Sequence, residues 1–300
     1  MTKTLRFKIV DTLYLLGILL PFLAVMALKV CFYPPSEGIN VTGALVFFTL
    51  PLPFGGLPVS EAQINSFAVV IAVFFLCLYL THGLDPKGGT KRQVFVELIV
   101  QKAKEFVLGN MGDRFAGFVP FVAAIMALSA FSSLSSLLGL YPATSDINVV
   151  AGWAILVFVL ITYYKLKGGV GNYLKGYADP IPFFAPFNVI SEVATPVSMA
   201  FRHYGNVLSG VVISTLVASA LQGLSGLLLG WLPGFLGEIP FLQVGIPAVL
   251  SLYFDLFSSL LQAFIFAMLT MLYIANGFPE EQYLARVAKK QAKKAAKASK

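Results

Sequence analysis

Long apolar runs, almost free of charge, recur along the whole chain and limit it more than any other feature. Six candidates meet the requirement of about 20 mostly apolar residues for a membrane-crossing helix: 10–32, 64–82, 116–141, 147–164, 187–221 and 242–276. Charged residues make up only 12% of the 300 residues and hydrophobic ones 58%, against about 25% charged in an ordinary soluble domain. A soluble enzyme, a disordered chain and a nucleic-acid-binding module are thereby excluded. The chain reads as an all-α polytopic membrane protein with about six transmembrane helices. The last two runs are 35 residues each, about 50 Å of helix against a hydrocarbon core of about 30 Å. They must tilt, bend or extend past the bilayer. A shorter stretch, 43–53, is cut by Pro51 and Pro53 and reads as an extramembrane or interfacial loop.

The net charge of +7 is not evidence for nucleic acid, because of where the cations sit. Nineteen of the 21 Lys and Arg fall at the N-terminus, in 83–115, in 165–186 and in the tail after 276. With six spans all four segments lie on one side, and the positive-inside rule makes that side the cytoplasm. Both termini are expected there. The first run, ending in Val25-Met26-Ala27, also admits a signal-peptide reading. Segment 92–110 mixes apolar and charged residues and suits either an interfacial amphipathic helix or a soluble loop helix. The Lys/Ala-rich tail, 279–300, suits a solvated helix or a disordered tail near anionic lipid. Cys31 and Cys77 form neither a metal pattern nor a disulfide framework and read as buried small apolar residues. Gly168-Gly169-Val170-Gly171 lacks the spacing of a phosphate loop and reads as a flexible inter-span loop.

Ions inside a membrane are costly and mark functional paths. Asp11 and Lys29 lie near span ends and can snorkel or hydrate. Glu192, Arg202 and Asp255 lie deeper. Ser191, Thr195, Ser198, Arg202, Asn206 and Ser209 are spaced 4, 3, 4, 4 and 3, which keeps them on one helical face. Ser251, Asp255, Ser259 and Gln262, spaced 4, 4 and 3, form a second stripe. Antiparallel stripes of this kind face each other or a water-filled cavity; hydroxyls alone also serve as interhelical glue. A permanently charged arginine needs a carboxylate, water or both. If Gln262 packs level with Arg202, Asp255 lies about 10 Å further out, placed as a proton relay and not a tight ion partner. Pro186 suits a helix start and Pro196 a kink. His82 and His203 are more simply read as satisfying local hydrogen bonds than as proton carriers.

PFNVISEVATPVSMAFRHYGNVLSG, 186–210, resembles the signature of subunit a of F-type ATP synthases, Pro-x-Ser-x-x-x-Arg-x-x-Gly-Asn, here Pro196, Ser198, Arg202, Gly205 and Asn206. LQAFIFAMLTMLYI, 261–274, is similar to that family's last helix, with Gln262 at the glutamine position. SLLGLYP, 136–142, resembles its Asn-Leu-Leu-Gly-Leu-x-Pro, with Ser136 for Asn, and SDIN, 145–148, matches the segment before the fourth helix. The resemblance covers about 64–282; the single membrane domain divides into an N-terminal span and outer loop, 1–63, a family core, 64–276, and a basic tail, 277–300. It implies a last hairpin of long tilted helices against a rotating c-ring, with peripheral-stalk b subunits and an ATPase headpiece as further partners, and no cofactor. It implies two offset half-channels that load and unload ring carboxylates. Arg202 would separate them, with Gln262 and Asn206 beside it, Asp255 in the outer half-channel and Glu192 at the cytoplasmic exit. A bacterial plasma membrane fits the short loops. The chain departs from the family at Val211, where many relatives carry glutamate or histidine. An independent secondary transporter or a membrane scaffold is the rival reading; no internal repeat favours the former.

Overall fold

The structure is a computed structural model. It describes residues 3–32, 43–51, 55–85, 88–179, 181–231, 241–243 and 245–298, with side chains at 3–6 and 293–298 excepted. It is a bundle of helices with one small hairpin. Among the described residues six helices are long and apolar enough to cross a membrane, bounded by Phe7–Phe32, Glu61–Thr81, Asp113–Leu138, Ile147–Leu166, Pro182–Leu229 and Phe241–Gly277. Each overlaps a run read from the sequence.

In chain order the helices are α1 (Lys3–Phe32), α2 (Glu61–Thr81), α3 (Lys91–Met111), α4 (Val119–Leu134), α5 (Ile147–Leu166), α6 (Val170–Tyr177) and α7 (Ala185–Leu229). Then come α8 (Ile246–Ser251), a π-helical stretch Leu252–Ser258, α9 (Ser259–Gly277) and α10 (Glu280–Ala298). The region expected as a loop at 43–53 carries strand β1 (Val46–Leu50), antiparallel to β2 (Leu57–Ser60). The starts follow local chemistry. Ser60 and Gln63 close a reciprocal capping box on α2, and Thr90 and Asp146 accept backbone N–H groups at the heads of α3 and α5.

The spans alternate, so one end of the bundle carries the hairpin and the other carries α3, α6 and α10. The core lies between α4, α5 and α9, where Val122, Ile125, Val157, Ile161, Phe266 and Met271 pack together. Elsewhere apolar side chains point outward, as on α1, where Leu13, Leu19 and Leu23 are more than half exposed. Lipid solvates such side chains as well as a protein core does, so burial is not required of them.

Several sequence expectations change here. Cys31 and Cys77 are exposed on the outside of α1 and α2, not buried. Gly168-Gly169 make the turn, but Val170 and Gly171 already open α6. Pro196 lies inside α7, whose helix continues on both sides of it. As read, segment 92–110 is helical, and so is the tail over Glu280–Ala298; Arg114 ties α10 to the head of α4 through Glu280 at 2.8 Å. Asp11 and Lys29 do not merely hydrate. Asp11 accepts from Arg92 at 3.1 Å and meets His82 Nδ1 at 2.8 Å. Lys29 pairs with Glu61, itself 1% exposed, at 3.0 Å.

Candidate functional site: the paired long helices

The two long helices, α7 and α8–α9, run antiparallel, and two contacts fix their register. Ser258 Oγ donates to Asn206 Oδ1 at 2.9 Å, and Asn206 Nδ2 donates to the Ser258 carbonyl at 3.4 Å. One turn further, a Cβ on Gly210 would lie 3.0 Å from Phe254 Cβ, a contact tight enough that Phe254 would have to give way to any larger residue. Each step along α7 is matched by an equal step back along its partner. Carried one turn the other way, this register brings Arg202 level with Gln262. It sets Asp255 level with Ser209, about 10 Å nearer the hairpin end.

The two polar stripes do not simply face each other. Ser191, Ser198, Arg202 and Ser209 are exposed, Thr195 and Asn206 half-buried. Ser259 and Gln262 are buried, whereas Ser251 and Asp255 are half-buried. Only Asn206 bonds across, and to Ser258, a residue outside the sequence stripe. Thr195 and Ser209 spend their hydroxyls on the backbone carbonyls of Ser191 and Asn206, and Ser259 Oγ donates to the Phe254 carbonyl at 3.3 Å. Asp255 sits in the π-helical stretch and accepts from Ser251 Oγ at 2.5 Å. A π-bulge here re-aims side chains that a regular helix would carry past the contact.

Arg202 stands on the outer face of the pair, and among the described residues no carboxylate pairs with it. In an apolar surrounding an isolated guanidinium is strongly disfavoured. Its solvation or counter-charge therefore comes from outside this set.

Glu192 is placed differently. Lys165 Nζ lies 3.0 Å from its Oε1, Tyr173 OH donates to the same oxygen at 3.1 Å, and Tyr177 OH donates to Oε2. Burial, then the bond to Glu192, holds the Tyr177 phenol above its ordinary range, so it stays a donor. A cavity of about 460 Å³ lies around this cluster, and a second of about 250 Å³ shares Lys165, Glu192, Thr195 and Asn276 with it. Together they lead from the α3–α6–α10 end along α7 toward Ser191 and Thr195. Sequence reading missed the two tyrosines. Their i, i+4 spacing on a short helix was the available signal, but nothing local says that α6 folds back onto α7.

At the hairpin end a cavity of about 330 Å³ is lined by Ser60, Gln63, Tyr141, Ser145, Asp146 and Tyr204, among others. No residue of the Asp255 stripe lines it. Val211 is half-buried. Among the described residues no group of three or more His, Cys, Asp or Glu is arranged to hold a metal.

Comparison with known proteins converges on one family. A sequence profile described as ATP synthase A chain matches residues 64–275. ATP synthase subunit a of Legionella pneumophila (strain Paris) is 28% identical over 237 residues, covering 78% of this chain and 93% of that protein. ATP synthase subunit a of Desulforamulus reducens is 30% identical, covering 74% and 80%. ATP synthase subunit a 1 of Crocosphaera subtropica is 33% identical, covering 72% and 86%.

Proposed function

Since the chain belongs to the ATP synthase A chain family, we propose that it is the proton-conducting stator subunit of a rotary F-type ATP synthase. The observation that carries the reading is Arg202: a fixed cation on the outer face of the paired long helices, within the family's Pro-x-Ser-x-x-x-Arg-x-x-Gly-Asn pattern and without an acidic partner among the described residues. A ring of c subunits turning past that face would present the missing carboxylates one at a time.

The α3–α6–α10 end is the cytoplasmic one by the positive-inside rule, which puts both termini in the cytoplasm and the hairpin outside. The cavities around Glu192 then form the cytoplasmic half-channel. Glu192, held by Lys165 and two tyrosines, receives protons released from the ring. The outer half-channel loads the ring on the other side of Arg202, with Asp255, Asn206 and Gln262 at the contact. Arg202 favours the ionised form of an approaching ring carboxylate and so forces proton release. Its own charge blocks direct passage between the half-channels. The membrane potential supplies about 2.3 kcal/mol per charge per 100 mV.

ATP chemistry takes place on the headpiece, and peripheral-stalk b subunits hold this chain against rotation. The setting is a bacterial plasma membrane. Cysteine cross-linking tests the geometry. A ring cysteine should trap Ser198→Cys or Ser209→Cys on the exposed face of α7, and should fail to trap Val207→Cys, which points inward. Equal trapping of all three, or of the buried position alone, would contradict the reading.

A further inference from the structure

We propose that His203 is the proton relay of the outer half-channel in this chain, standing in for the carrier absent at Val211; this rests on the ion-conducting reading above. His203 is fully buried at the junction of four helices. Its Nε2 lies 3.3 Å from Ser129 Oγ on α4. Its ring meets Trp153 of α5 and Phe266 of α9 edge-on, at 6.1 and 5.5 Å. Its Nδ1 is buried without a partner among the described residues. A buried ring nitrogen without a partner carries a free-energy cost that a proton path through the ring would use.

A polar seam joins this histidine to the hairpin-end cavity. Ala200 packs with Val150 and Ala154 in the first turns of α5, so the tilt of α7 brings residues 200–204 level with the hairpin end of α5. Tyr204 itself lines the cavity, with Tyr141 and Ser145. Ser145 Oγ is buried and unbonded among the described residues. Its neighbour Thr144 shares a hydrogen bond of 2.9 Å with Ser133 Oγ. Ser133 and Ser129 lie one turn apart on α4, about 6 Å, a separation that a single bridging water would span. Ser129, Ser133, Thr144 and Ser145 are all at most 3% exposed.

A proton reaches Nε2 of the neutral ring from Ser129 Oγ while that hydroxyl takes another from the seam. The ring then gives up its Nδ1 proton toward the interhelical contact. There Asn206 lies one turn along α7, and Gln262 lies one turn before Phe266 on α9. Each passage leaves the ring neutral but as the Nε2–H tautomer, so a rotation of the ring that restores Nδ1–H completes each cycle; no oxidant, reductant or second ion is consumed.

The test uses inverted membrane vesicles carrying the assembled complex, with ATP-driven acidification as readout and co-purification of the ring as the assembly control. The variants are Arg202→Ala, His203→Gln and the pair Ser129→Ala with Ser133→Ala, the last two also combined with Val211→Glu. We expect His203→Gln to lower the rate at least about tenfold, since a positioned proton carrier contributes about 10²–10⁴. Val211→Glu should return most of that rate, which a purely structural defect would not allow. Wild-type pumping by assembled His203→Gln, or a loss that Val211→Glu leaves in place, overturns the proposal. If His203→Gln does not assemble, the serine pair decides by the same two criteria. Arg202→Ala separates the levels: if it pumps normally, the ion-path reading itself fails; if it is inactive while His203→Gln pumps normally, only the relay fails.

Discussion

Replacing Lys29 with methionine isolates one ion pair and probes how the N-terminal helix is held. Lys29 Nζ lies 3.0 Å from Glu61 Oε1 and also donates to the Gly139 carbonyl at 3.0 Å. The Glu61 side chain is 2% exposed, that of Lys29 37%. Breaking a fully buried pair costs about 3–5 kcal/mol, because the remaining ion is left uncompensated. Here the lysine is partly in solvent, and the carboxylate keeps the Tyr141 N–H at 3.1 Å, so the discounted cost is about 2 kcal/mol. That is a factor of about 30 in the folded-to-unfolded ratio. The assay is denaturant-induced unfolding of the full chain in mixed micelles, followed by circular dichroism. Glu61→Gln in the Lys29→Met background should recover at least half of the loss, giving a coupling of about 1–2 kcal/mol in the double-mutant cycle. A single variant as stable as wild type, or a double variant as unstable as the two losses added, would refute the reasoning.

Asp11→Asn should destabilise the α1–α2–α3 junction by about 1–2 kcal/mol, since Arg92 then loses its carboxylate at a partly exposed site; the same unfolding measurement reads it. Gly210→Val should cost about 1–3 kcal/mol through overpacking against Phe254 and lower recovery of assembled complex, whereas Gly205→Ala, with nothing within 4 Å of its Cβ position, should be tolerated structurally. Glu192→Gln should slow ATP-driven acidification without preventing assembly, because Lys165 and Tyr173 can still donate to the amide oxygen while the Tyr177 hydroxyl accepts from the amide N–H; unchanged pumping would remove Glu192 from the path. Asp255→Asn should slow pumping less than Arg202→Ala; a loss as complete as that of Arg202→Ala would make Asp255 indispensable.

The spans were legible in the sequence because crossing a bilayer depends on local length and apolarity, which any window of about 20 residues displays. The family pattern around Arg202 was legible for a similar reason, since its spacing lies within one helix. The partners of buried ions were not. Nothing local to Glu61 states that α1 lies beside it, and nothing near Glu192 announces that Tyr173 and Tyr177 fold back onto it. The stripe Ser251, Asp255, Ser259 and Gln262 was expected to face its antiparallel partner or a water-filled cavity. The interhelical bond falls to Ser258, which lies at the end of the π-helical stretch and outside the stripe that 3.6-residue periodicity picks out. Cys31 and Cys77 were misread as buried because burial was inferred from apolarity, a rule that water enforces and lipid does not.

ATP-driven acidification of inverted membrane vesicles by Arg202→Ala tests the central claim most directly, provided that co-purification with the ring and headpiece shows assembly at wild-type level. The account predicts an assembled complex that no longer acidifies the vesicle lumen, because the cation that separates the two half-channels and meets the ring carboxylates is gone. Acidification at the wild-type rate by the assembled variant would contradict it.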